Sequence, residues 1–106
     1  MVFRVRVTTP AEGDIRRAGR WYSDHAKEIG RQWTRGVRQA IASLAENPDR
    51  YGLAHESDQI DFELRELLYG IGRKKIHRIL FRILGDTVEV LAVRHAAQRD
   101  IAPDEM

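Results

Sequence analysis

Residues 2–7 read VFRVRV, a strict alternation that puts Phe3, Val5 and Val7 on one face of a half-buried strand. The period then changes. Thr8 or Thr9 with Pro10 predicts an N-cap followed by proline at the first helical position, and Glu12 supports the first turn. Ala11, Ile15, Ala18 and Tyr22 follow at helical spacing, Trp21 adds bulk near the helix end, and an interhelix turn falls within residues 23–30. A second helix carries Ile29, Trp33, Val37, Ile41 and Leu44 as its apolar spine. Ala40 and Ala45 lie beside that spine, and Arg31, Arg35 and Arg38 lie off it. Asn47-Pro48 is expected to end this helix, because the residue before a proline is pushed away from helical angles. Residues 49–61 are polar and loop-like. Phe62, Leu64 and Leu68 then begin a second strand, and Gly70-Ile71-Gly72 makes a turn or bulge.

Two further β-like runs, residues 75–84 and 87–94, flank Gly85-Asp86; glycine at the first central position of a two-residue loop predicts a type II′ hairpin. Pairing Leu84 with Thr87 places Ile83 opposite Val88, Phe81 opposite Val90 and Ile79 opposite Ala92, a wholly apolar face that must be the core side. The other face pairs Arg82 with Glu89, Leu80 with Leu91, Arg78 with Val93 and Ile76 with His95. That register brings Arg78 and His95 together on the non-core face, where chemistry is to be sought. The element order is β-α-α-β-β-β: one α+β domain spanning residues 1–106, its antiparallel sheet packed on an N-terminal two-helix hairpin, with residues 101–106 a frayed tail.

Composition narrows the function classes. There is no cysteine, which excludes disulfides, cysteine-ligated zinc and a cysteine nucleophile. The N-terminus has no apolar core of the signal-peptide kind, and no apolar run approaches the ~20 residues that span a bilayer, so a cytoplasmic protein without a membrane partner is expected. Net charge is only +2, but it is unevenly spread: residues 1–45 hold nine Lys/Arg against four Asp/Glu, residues 64–100 eight against four, and residues 46–63 one against six. Basic areas separated by an acidic loop suit nucleic-acid or acidic-protein partners, or are a solvated surface. The four histidines have no metal-ligand spacing, and neither a metal nor another cofactor is predicted. Gly70-Ile71-Gly72 lacks the spacing of a phosphate loop, and Ser23, Ser43 and Ser57 sit in no nucleophile-elbow context.

The ordered pieces TTPAEGDI…WY, LAENPDRY, ELRELLYG, HRILFRI, GDTVEVLAV and RHAAQRD together resemble the RelE/ParE superfamily of bacterial toxins, from Val2 to Asp100. The resemblance implies the fold above, the toxin half of a type II toxin–antitoxin, plasmid-stabilising module, and a cognate antitoxin that masks the toxin in a hetero-oligomer. ParE-like members poison DNA gyrase and are not nucleases; RelE-like members cut mRNA on the ribosome. The closing His95, Arg99 and Asp100 are similar to ParE endings, and the RelE-like pattern of a tyrosine after the last strand is absent, since no Tyr follows Tyr69. A ParE-like gyrase inhibitor is therefore the favoured reading. A RelE-like endoribonuclease is the alternative, and a non-toxic antitoxin-binding member the third.

Several residues carry these alternatives. Arg78 matches the arginine of the superfamily's Tyr-Arg-Ile strand motif, with His77 in the tyrosine position. In a nuclease, the resemblance implies, Arg78 clamps the scissile phosphate; otherwise it spans the sheet to a carboxylate such as Glu66. His95 is either a general acid or base or a strand-end capping residue, and Tyr69, Lys74 or Lys75 would have to supply a second proton-transfer group. Arg73, Lys74 and Lys75 form a basic run suited to phosphate contacts, or a solubilising start to the strand. Arg65, Arg78, His95 and Arg99 complete the candidate target-contacting set. Arg82–Glu89 is expected as a cross-strand ion pair, Trp33 as core, and Trp21 and Tyr22 as hairpin packing or an antitoxin anchor.

Overall fold

The computed structural model describes residues 2–72, 76–98 and 100–105. Strand β1 (Arg4–Val7) leads into helices α1 (Thr9–His25) and α2 (Lys27–Ala42), followed by β2 (Arg65–Tyr69), β3 (His77–Leu84) and β4 (Thr87–His95). The expected α+β order is observed. The sheet order is β1-β4-β3-β2, and β1 runs parallel to β4, so the sheet is mixed rather than wholly antiparallel. The parallel pairing follows from the connection: α1 and α2 form an up-and-down hairpin across one face, returning the chain to the far edge before β2 begins.

Local chemistry accounts for most boundaries. Thr8 caps α1 by accepting the Ala11 N–H, and Pro10 occupies the second helical position, where no intrahelical donor is needed. Helix α1 ends at Ala26, whose extended backbone separates the two helices. Helix α2 stops at Ala42, short of Asn47-Pro48, and continues as a 3-10 turn over Ser43–Ala45; Asn47 itself adopts left-handed angles (φ 48°). Ile29, expected in the spine, is 43% exposed, and Gly30 takes the buried position next to it. Residues 49–61 are not featureless: they contain the end of one 3-10 turn (Pro48–Arg50) and a second (His55–Gln59). Strand β2 begins after Phe62 and Leu64, not with them. The β3–β4 turn has Gly85 at φ 61° while Asp86 lacks a positive φ, as type II′ requires.

The main core lies between the helices and the sheet, built from Ala11, Ile15, Trp33, Val37, Ile41 and Leu44 against Leu67, Ile79, Phe81, Val88, Val90 and Val93. The opposite face is not open. Ala54, Leu64, Leu80, Leu91, Ala92 and Ile101 form a second, smaller apolar cluster. Ile101 is 3% exposed and Pro103–Glu105 form a 3-10 turn, so residues 101–105 are a docked closing segment and not a frayed tail.

The hairpin register holds from Leu84↔Thr87 to Phe81↔Val90 and then shifts: Leu80 pairs with Ala92, Ile79 with Val93, Arg78 with Arg94 and His77 with His95. Leu91 is the additional residue of a β-bulge. One extra residue reverses the facing of everything beyond it on that strand. Val93 and His95 therefore turn toward the helices. No helix among the described residues is long and apolar enough to cross a membrane.

Candidate functional site

The bulge separates the two residues that the uninterrupted register brings together. Arg78 lies on the face of the second cluster. Its guanidinium is bidentate to Glu56, with Nη1 donating to Oε2 at 2.9 Å and Nη2 to Oε1 at 2.6 Å, and its Nε donates to Glu66. The Ile101 N–H also donates to Glu56 (3.3 Å), which ties the closing segment to the same network. Arg78 is 7% exposed and Glu56 1%. Burial alone would raise the Glu56 carboxyl, but Arg78 and the backbone N–H groups of Glu56 and Ile101 outweigh it and hold the pKa at about 2. The same carboxylates raise Arg78 above its already high value against the effect of burial. Both partners are charged at neutral pH, and the arginine has no edge left for a phosphate.

His95 sits at the end of β4 on the helix side, opposite His77, with ring centroids 5.4 Å apart. His77 is buried against Trp33, whose Nε1 donates to His77 Nδ1 at 3.4 Å, and Tyr22 stacks on Trp33 at 5.5 Å. Burial pushes the His77 pKa down to about 4, with His95 nearby acting in the same direction, so His77 is a neutral imidazole at physiological pH. His95 Nδ1 accepts the Ala97 N–H (3.0 Å), which leaves Nε2 as its outward atom. The two histidines line a cleft of about 570 Å³ together with Trp21, Tyr22, Ile76 and Val93, with Asp14, Arg17, Arg94 and Gln98 also at its edge. Trp21 is 57% exposed and stands over this cleft instead of packing inside the helical hairpin. Its ring lies tilted against His25, centroids 4.2 Å apart.

The cleft can hold an apolar or aromatic group. Among the described residues, both arginines at its rim are in ion pairs: Arg17 pairs with Asp14 at 2.6 Å and Arg94 approaches Glu105 at 3.8 Å. Tyr69, a candidate second proton carrier, instead donates its hydroxyl to the Trp33 carbonyl at 3.1 Å, and burial raises its pKa. Arg65 is likewise a structural tie: its Nη1 donates to the Tyr51 carbonyl at 2.7 Å and anchors the loop before β2. Arg82–Glu89 forms as expected and is joined by Arg6 from β1. Arg73, Lys74, Lys75 and Arg99 lie outside the described residues. His55, Glu56 and Asp100 bring ligand atoms within 4.8 Å of one another, but both Glu56 oxygens already receive Arg78, whose charge opposes a cation.

Sequence reasoning missed Glu56 as the partner of Arg78, because a lone glutamate in an acidic loop carries no spacing signal. It also missed the cleft rim, since Asp14 and Arg17 come within reach of Val93 and His95 only when the bulge turns that strand end toward α1. Asp14 Oδ2 accepts the Val93 N–H at 3.0 Å.

The family described as ParE toxin of type II toxin-antitoxin system, parDE, matches residues 5–100. No curated protein matches the chain. Among solved structures, the fold is similar to a chain of the "Chromosomal ParDE TA system from P. aeruginosa". The TM-score is 0.69 at 15% identity, covering 89% of this chain and 96% of that one.

Proposed function

Because the chain belongs to the ParE toxin family of type II toxin–antitoxin systems, we propose that it arrests growth by inhibiting DNA gyrase and is neutralised by a cognate antitoxin. The observation that carries the gyrase target over mRNA cleavage is the state of Arg78. A nuclease needs that guanidinium aimed at a phosphate; here Glu56 and Glu66 occupy it in a buried network. Of the candidates for a second proton carrier, Tyr69 is committed to a helix carbonyl, and Lys74 and Lys75 lie outside the described residues. Among the described residues, the cleft beside His77 and His95 holds no arginine outside an ion pair. The antitoxin partner is supported by the family and by the solved relative, which is a ParDE system. On this reading the protein works in the cytoplasm within a plasmid-stabilising module, as part of a toxin–antitoxin hetero-oligomer.

The test is pulse incorporation of labelled thymidine and labelled methionine within minutes of inducing the chain in bacteria. An early fall in thymidine with methionine uptake intact is expected. An early fall in methionine would replace this reading by ribosome-dependent mRNA cleavage, and no arrest at all would mark a non-toxic antitoxin-binding module. His95→Ala is expected to leave the thymidine effect in place, which a His95-dependent nuclease would not.

A further inference from the structure

The outer groove between α1 and α2 lies away from the sheet and from the histidine cleft. It is lined by Ile15, Arg16, Gly19, Arg20, Ser23, Gly30, Arg31, Thr34, Arg35 and Arg38, five arginines and no carboxylate. The two helices approach closely here because small residues meet: a Cβ at Gly19 would lie 2.8 Å from Thr34 Oγ1, and one at Gly30 would lie 2.9 Å from the Ser23 Cα. The floor is therefore shallow, with hydroxyls between two cationic banks. Arg38 is bidentate to Glu12 and Arg31 is 3.7 Å from Glu28, whereas Arg16, Arg20 and Arg35 are exposed and form no ion pair among the described residues.

We propose that this groove binds the phosphate backbone of double-stranded DNA. Three features select that partner. The charge is arginine throughout, the side chain that meets phosphate with paired donors. No aromatic ring lines the groove, so there is no platform on which single-stranded bases could stack. Its one apolar residue, Ile15, is 1% exposed, so an amphipathic helix or other protein segment finds no apolar anchor. Arg16 and Arg20 lie about 6 Å apart along α1, with Arg35 of α2 lining the same groove, and duplex DNA presents one charge per ~1.7 Å, so the three arginines outside ion pairs meet several phosphates at once. The proposal stands apart from the identity of the toxin's target, since backbone contact is independent of sequence and needs no gyrase.

Fluorescence anisotropy of a short labelled duplex of arbitrary sequence, titrated with the purified chain over a salt series, tests this. Binding in the ~10⁻⁴–10⁻⁶ M range at physiological salt is expected. Arg20→Ser combined with Arg35→Ser should weaken it by at least ~10-fold and reduce the slope of log K against log salt by about 2, at roughly one unit per lost phosphate contact. Both side chains are exposed and unpaired, so thermal melting should be unchanged, and single Arg35→Ser should give an intermediate loss. Arg4→Ser on β1 removes one positive charge elsewhere, as Arg35→Ser does in the groove, and should leave affinity and slope nearly unchanged. Absence of binding by the unaltered chain overturns the proposal. So does a loss from Arg4→Ser equal to that from Arg35→Ser, which would make net charge the cause, or capture of a polyglutamate peptide in preference to the duplex, which would make the groove a site for an acidic protein.

Discussion

Arg78 shows how one residue type in one strand can be read two ways, with its neighbours favouring one of them. A guanidinium with carboxylates on two edges at 7% exposure is a structural tie, and its energetics are asymmetric. Removing one partner leaves a buried charge without compensation, so Glu56→Ala should cost about 3–5 kcal/mol in urea denaturation. Glu66→Gln should cost less, because Glu66 is partly solvated and its amide oxygen still accepts. Replacing both Arg78 and Glu56 by leucine should recover most of the loss. If Glu56→Ala instead left stability unchanged while abolishing growth arrest, Arg78 would have to be a functional group that only borrows Glu56 in the free protein. The pairing with Glu66 was legible in the sequence because β2 and β3 are neighbours with alternating side chains. Glu56 was not, since nothing in an irregular acidic loop states which strand it will cover.

The elements themselves were legible wherever local chemistry dominates: the Gly85 turn and the Trp33–Val37–Ile41 stripe fall where glycine and periodicity put them, and Thr8 is one of the two threonines expected as the cap, with Pro10 one position further in. The register beyond Phe81 was not. Leu80, Leu91 and Ala92 are as apolar as the residues on the helix side, so hydrophobicity does not reveal that Leu91 is an extra residue covered by Ile101. The helical hairpin is held by contact between small residues. Ala at position 30 has better helix propensity by about 1 kcal/mol, but its Cβ would run into both the backbone and the side chain of Ser23. Gly30→Ala should therefore destabilise by about 1–3 kcal/mol, read from the shift in urea midpoint. Gly52→Ala, with open space around the new methyl, should stay within about 0.5 kcal/mol. The closing segment makes a similar claim on the far face of the sheet: Ile101→Ala should cost about 2–5 kcal/mol by emptying the second cluster, where a frayed tail would cost nothing.

At the scale of the whole molecule, two histidines oppose one another as pH changes. His77 has an ordinary value of 6.5 in the unfolded chain and about 4 when folded, because burial against Trp33 penalises the imidazolium. Between those values the unfolded state binds more protons than the folded one, so stability rises with pH across that window and is lost as pH falls through it. The loss approaches about 3 kcal/mol below the folded value, at 1.36 kcal/mol per unit. His55 works in the other direction. Its hydrogen bond to Asp100 and the charge of Glu56 raise its pKa, so its contribution is full below the unfolded value and disappears as pH rises through the folded one. His55 is 63% exposed, however, and solvent screens its ion pairs. The buried histidine should win: the urea midpoint should fall steadily from pH ~7 to pH ~5, before the carboxylates titrate. His77→Gln keeps an acceptor for the Trp33 N–H and removes the titration, so its midpoint should be nearly flat over the same range. Persistence of the full slope in that variant would assign the acid sensitivity to a group other than His77. A slope of opposite sign in the unaltered chain would mean that the His55–Asp100 clasp on the closing segment, exposed as it is, outweighs the core.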